Sequence, residues 1–82
     1  MLKHKINPDY VDAAMQGATF EELENNTGFF GSIPGFQGVW ANAGTLEETR
    51  AELAEVLAEW VDLGLEFGDP IPEIAGIPLR QS

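Results

Sequence analysis

The chain has no cysteine in 82 residues, which excludes disulfides and thiolate chemistry and leaves the redox compartment open on this criterion. Histidine is nearly as scarce: His4 is the only one, and it reads as a surface residue between Lys3 and Lys5 in the terminal segment. Hydrolysis or group transfer needs a nucleophile beside a base, two carboxylates in different environments, or a set of metal ligands. Ser32 and Ser82 have no neighbouring base in the sequence, and Ser32 reads as a strand residue. There is no histidine pair and no phosphate-cradling loop with its lysine, so no metal or other cofactor is expected. Glutamates four apart on a helix are a weak cation site without a histidine or a second such helix. An enzyme working through carboxylates alone would need an acid with a strongly shifted titration in a closed pocket. The chain is read as non-enzymatic.

Positive charge is also rare. Four Lys and Arg against 14 acids leave a formal net charge of −10, which argues against nucleic acid and anionic membranes as direct partners and favours a basic protein. No run approaches the roughly 18 apolar residues of a membrane span. The Met-Leu-Lys-His-Lys start lacks the apolar region of a signal peptide, so a cytoplasmic protein is expected. No internal repeat or low-complexity segment is visible, and residues 1–82 read as a single domain. A domain of this size buries only about 60 percent of its unfolded surface, so oligomerisation would help it.

What the chain does have is one long amphipathic helix, from Thr45 to Phe67. Thr45 is placed as N-cap, with Glu48 three residues on to complete a capping box. Leu46, Leu53, Val56, Leu57, Trp60, Gly64 and Phe67 recur at helical spacing and define the expected core face. Glu48, Glu52, Glu55, Glu59, Asp62 and Glu66 follow at steps of four and three, which places them on the opposite face. Acid pairs at these spacings each cost about 0.2 to 0.5 kcal/mol in an isolated helix. The helix does not relieve this by itself: Arg50, its only base, has Glu47 three positions before it and no acid of the line three or four positions away. Asp62 and Glu66 also lie in the C-terminal half, where the macrodipole disfavours anions. The line is either a solvated face that maintains solubility or a docking surface for something basic.

Before this helix, Asn7 and Pro8 read as N-cap and first position of a short helix to about Met15, with Ile6 and Val11 as a hydrophobic staple and Gly17 as the stop. The apolar content of that helix suits it to lie on a sheet. A strand is expected in Ala18 to Glu24, a hairpin turn at Asn25 to Gly28, a second strand from Phe29 to Ile33, and a third from Gly38 to Ala43. In the third, Val39, Ala41 and Ala43 share one face and Trp40 and Asn42 the other. Past Phe67, Gly68, Asp69, Pro70 and Pro72 stop the long helix. Ile74, Ile77 and Leu79 are the candidates for a last short strand, which Gly76 and Pro78 would confine to an edge. The expected class is α+β: a short helix, a three-stranded antiparallel meander, a long helix packed on it, and a short C-terminal edge strand.

The run Phe30-Gly-Ser-Ile-Pro-Gly-Phe-Gln-Gly-Val-Trp-Ala, then Gly44-Thr-Leu-Glu-Glu, the helix to Trp60 and the exit Gly68-Asp-Pro-Ile-Pro together resemble the HicB-like antitoxins of toxin–antitoxin pairs. The linked elements at these spacings are more specific than any one alone. The resemblance spans nearly the whole chain and implies the same fold, homo-oligomers, and a HicA-like toxin partner: a small basic ribonuclease whose RNA-binding and catalytic surface the antitoxin covers. Many members of that family carry a C-terminal DNA-binding module. This sequence stops at Ser82, so a short form without autorepression of its own is expected.

On this reading the protein is a type II antitoxin that masks its toxin electrostatically through Glu52, Glu55, Glu59, Asp62 and Glu66. Phe36 and Trp40 are candidate aromatic anchors, since exposed aromatics dominate interface energy. Trp40 reads equally as core, and Trp60, on the apolar stripe, reads as core. The alternative is an orphan homo-oligomeric scaffold or binding module without a toxin, for which Leu63 and Leu65 flank the apolar stripe on its two sides.

Overall fold

The structure, a computed structural model, describes residues 6–74 and 76–79, so the readings of Lys3, His4, Lys5 and Ser82 fall outside the described residues. In chain order the elements are α1 (Pro8–Met15), β1 (Thr19–Glu22), β2 (Phe29–Ser32), β3 (Trp40–Ala43) and α2 (Leu46–Phe67), with a short 3-10 helix at Glu24–Asn26. The expected α+β order of helix, three strands and helix is the order found.

Each helix starts where a side chain can satisfy orphan backbone groups. The Asn7 side-chain oxygen accepts the Asp9 N–H at 3.0 Å, and Pro8 supplies a first helical position that needs no N–H. Thr45 caps α2: its Oγ1 accepts the Glu48 N–H at 3.1 Å and donates to the Glu48 carboxylate at 3.2 Å. Gly68, with φ at 74°, takes the left-handed residue that ends α2, and the Asp69 N–H returns to the Gly64 carbonyl at 2.8 Å. Between β1 and β2, Asn25 and Asn26 both adopt positive φ, as asparagine tolerates, and the Leu23 N–H closes onto the Gly28 carbonyl at 2.7 Å.

The sheet order is β1-β2-β3, all antiparallel, with Phe20, Gly31 and Ala41 in one row and Thr19, Ser32 and Trp40 in the next. Helix α2 covers one face of β2 and β3. Close approach depends on Gly31, where a Cβ would stand 2.6 Å from the Phe20 ring and 3.3 Å from Thr49 Cγ2. Leu53, Leu57 and Val61 from the helix are fully enclosed with Val39, Ala41 and Ile33 from the sheet side. The neighbour against which α1 packs is α2, rather than the sheet as its apolar content suggested, and Tyr10 and Ala14 are its buried residues.

Two expectations about the periphery are corrected. Ile74, Ile77 and Leu79 do not add a strand to the sheet; Ile74 and Ile77 form only an isolated bridge to each other across the turn at Gly76. The prolines here have no N–H for a ladder, and the carbonyls are used by α1 instead. The Asn7 N–H donates to the Leu79 carbonyl at 2.7 Å, its side-chain amide to the Pro78 carbonyl at 3.1 Å, and the Tyr10 hydroxyl to the Pro72 carbonyl. Second, the core stripe on α2 runs through Thr49, Leu53, Leu57, Val61 and Gly64, while Leu46 and Phe67 from the expected stripe are exposed. The helix outruns the layer beneath it: 22 residues span about 33 Å and a four-residue strand about 13 Å.

Candidate functional site

The outward face of α2 carries the acidic line as the spacing predicted. Glu48, Glu52, Glu55, Glu59 and Glu66 are exposed and Asp62 is half-buried. Glu48 is engaged by the Thr45 cap, so the part of the line beyond the cap runs from Glu52 to Glu66, about 21 Å along the axis. The base of this helix is turned elsewhere: the Arg50 guanidinium lies 5.1 Å from the centroid of the Phe20 ring, on the sheet side. The helix also has no basic residue in its last turn, where Glu66 meets the negative end of the macrodipole.

The aromatic candidates part company with this face. Phe36 is only 8% exposed and sits in the core, so it is not a surface anchor. Its ring is edge-on to Tyr10 at 6.5 Å and to Trp60 at 5.5 Å. A tight double turn carries it inward: the Phe36 N–H bonds the Ile33 carbonyl at 3.0 Å and the Val39 N–H bonds the Phe36 carbonyl at 3.1 Å. Gly35 and Gly38 supply the positive φ this reversal needs, at 91° and 86°. Trp40 is not core: it is 54% exposed and stacks on Phe30 at 5.9 Å on the sheet face turned away from α2. The acidic line and Trp40 thus occupy opposite sides of a two-layer molecule, and the structure does not bring them together. Trp60 is half-buried against Phe36, which fits its reading as a core residue.

Sequence reasoning missed Thr49 and misplaced Phe67. Thr49 is fully buried, and its hydroxyl bonds the Thr45 carbonyl at 2.7 Å, with the Phe29 carbonyl at 3.4 Å. Its polar identity hid it, although it lies one turn before Leu53 on the same face. Phe67 is 72% exposed and Leu63, four residues earlier, 54%.

Between α1 and α2 an open groove of about 550 Å³ is lined by Asp12, Met15, Gln16, Glu47, Arg50 and the small residues Ala51 and Ala54. None of these carries a hydroxyl, a thiol or an imidazole. Among the described residues no group of three or more His, Cys, Asp or Glu is arranged to hold a metal ion. No helix among them is long and apolar enough to cross a membrane. Among the described residues the one resolved titration shift is that of Tyr10, whose pKa burial raises above the ordinary 10.0. That group is structural, since its hydroxyl holds the C-terminal segment through Pro72.

The comparison with solved structures gives the same architecture. The crystal structure of TTHA0281 from Thermus thermophilus superposes with a TM-score of 0.76 at 29% sequence identity, over 92% of this chain and 90% of that one. The UPF0150-like family model matches residues 9–72, from the first turn of α1 through the whole sheet and α2 to Pro72. With the match covering every element that builds the core, the chain belongs to the UPF0150-like family.

Proposed function

We propose that this chain is an antitoxin that binds a small basic ribonuclease toxin and masks its RNA-binding surface with the outer face of α2. The observation that carries this reading is the row Glu52, Glu55, Glu59, Asp62 and Glu66, on the outer face while the only base of the same helix is directed to Phe20. A protein that grips RNA presents lysines and arginines to phosphates, and a rigid line of carboxylates competes for those side chains. The helix supplies rigidity, so the carboxylates need little ordering on contact. The family relation points the same way, because UPF0150-like domains are related to HicB-like antitoxins, whose partners are such toxins. Trp40 has no part in this contact, since it lies on the other side of the sheet.

The test is charge reversal on a folded protein. E52K/E55K/E59K should keep the far-ultraviolet circular dichroism of the wild type, slow association with the basic toxin, and flatten the salt dependence of binding. Unchanged association by that folded triple variant removes the acidic line from the interface.

A further inference from the structure

The groove between α1 and α2 does not end at Ala54. A second cavity of about 290 Å³ continues it toward the start of α1, and the two share Asp12, Ala51 and Ala54. From Glu47 at one end to Ala58 at the other the trough follows α2 for about 16 Å, the length of three helical turns. Its origin is in the sequence. Ala51, Ala54 and Ala58 recur at steps of three and four on the flank of α2 that faces α1, and side chains this short leave the space above the seam unfilled. The opposite wall is α1, with Val11 and Met15, both half-buried.

The rim is acidic. Asp12 on α1 and Glu47 and Glu55 on α2 are exposed along it, against one base, Arg50, at the Glu47 end, whose guanidinium lies over Phe20. An apolar floor between carboxylates suits an amphipathic occupant with basic borders. The walls also decide its backbone. Both are helices and offer no strand edge, so an extended segment laid here finds no ladder of partners for its N–H and C=O groups. A helix satisfies its own backbone, and the small side chains of Ala51 and Ala54 let it approach closely.

We infer that this groove is a docking site for an amphipathic helix of a partner protein, which lays apolar residues at i, i+3, i+4 and i+7 over Ala51 and Ala54 and sets lysines or arginines against Asp12 and Glu55. About 11 residues of such a helix fill the trough. Glu55 also belongs to the acidic row, so groove and row adjoin on α2, but the groove holds its occupant by burial and the row by charge. The inference does not need that partner to be a toxin: it stands on the shape and lining of the seam, and the substitutions that test it differ from those that test the row.

The probe is a roughly 18-residue peptide of leucine and lysine with its leucines at helical spacing, compared with a scramble of the same composition and charge. At about 0.15 M salt the patterned peptide is expected to bind the full chain at least about tenfold more tightly than the scramble, and to move the methyl resonances of Ala51 and Ala54. A51W, which fills the trough from an exposed position, should remove most of that preference, and D12K should weaken the patterned peptide about threefold. E59K/E66K, on the row and outside the groove lining, should weaken both peptides alike and leave the preference intact. Equal binding of the two peptides, a preference that survives A51W in a folded chain, a preference lost through E59K/E66K, or alanine methyls that stay still while the patterned peptide binds overturns the inference. The methyl shifts are read on the wild type, so the test does not depend on the folding of A51W.

Discussion

Along α2, Leu53, Leu57 and Val61 are fully enclosed, while Glu52, Glu55 and Glu59 stand at the surface on the other side of the same turns. The inner residues each contribute about 1.5 to 3 kcal/mol by leaving water. Neighbouring acids along the line from Glu48 to Glu66 repel one another at about 0.2 to 0.5 kcal/mol per pair, so its five pairs cost on the order of 1 to 2 kcal/mol. Burial outweighs repulsion several-fold, and the helix forms in spite of its outer face. A face that costs stability, and whose own helix directs its one base to Phe20, is consistent with the proposed contact with a basic partner.

The contrast breaks most directly at Leu57. L57A should cost about 2 to 5 kcal/mol in urea unfolding followed by circular dichroism, because it opens a cavity at the centre of the helix–sheet contact. A loss under about 1 kcal/mol would place the core elsewhere. A smaller inner effect is expected at Tyr10, whose hydroxyl donates to Pro72. Y10F should cost about 1 to 2 kcal/mol, since a half-buried carbonyl is left without its donor. The pH dependence has a definite sign. The folded-state pKa is raised by burial, so the protonated form is favoured by folding; stability is full below the ordinary value of 10.0 and is lost as pH rises from there through the folded value. Y10F lacks this alkaline loss, and a wild type whose unfolding midpoint is flat above pH 10 would contradict the assignment.

The outer face is expected to respond with the opposite sign and the smallest size. E66K removes the repulsion from Asp62 and puts a cation at the negative end of the helix dipole, so it should stabilise the isolated chain by about 0.5 to 1 kcal/mol. The same substitution should weaken association with a basic partner. A variant that gains stability and loses binding separates the two faces; one that loses stability shows that Glu66 serves the fold.

Much of this architecture is legible in the sequence because it is local. Asn7-Pro8 and Thr45 with Glu48 mark helix starts by hydrogen-bonding chemistry that needs no tertiary context, and the three strands fall within a few residues of their expected bounds. The acidic line is legible for the same reason, since periodicity alone fixes which residues share a helix face. What the pattern does not contain is the extent of the layer beneath. Phe67 shares a face with Gly64 and is nevertheless exposed, because the helix runs past the end of the short strands. Phe36 is bracketed by turn residues and reads as a loop side chain, yet the positive φ at Gly35 and Gly38 folds it under Tyr10 and Trp60. Strand alternation sets Trp40 opposite Val39 and Ala41; which side of the sheet α2 covers depends on packing along the whole helix.

The most direct measurement is RNA cleavage by the small basic protein captured with this chain at low salt, titrated with wild-type or E52K/E55K/E59K protein. The account predicts that the wild type silences cleavage at stoichiometric amounts, that rising salt restores it, and that the triple variant leaves it active. Equal silencing by both proteins, or a capture that yields only copies of this chain, would contradict it.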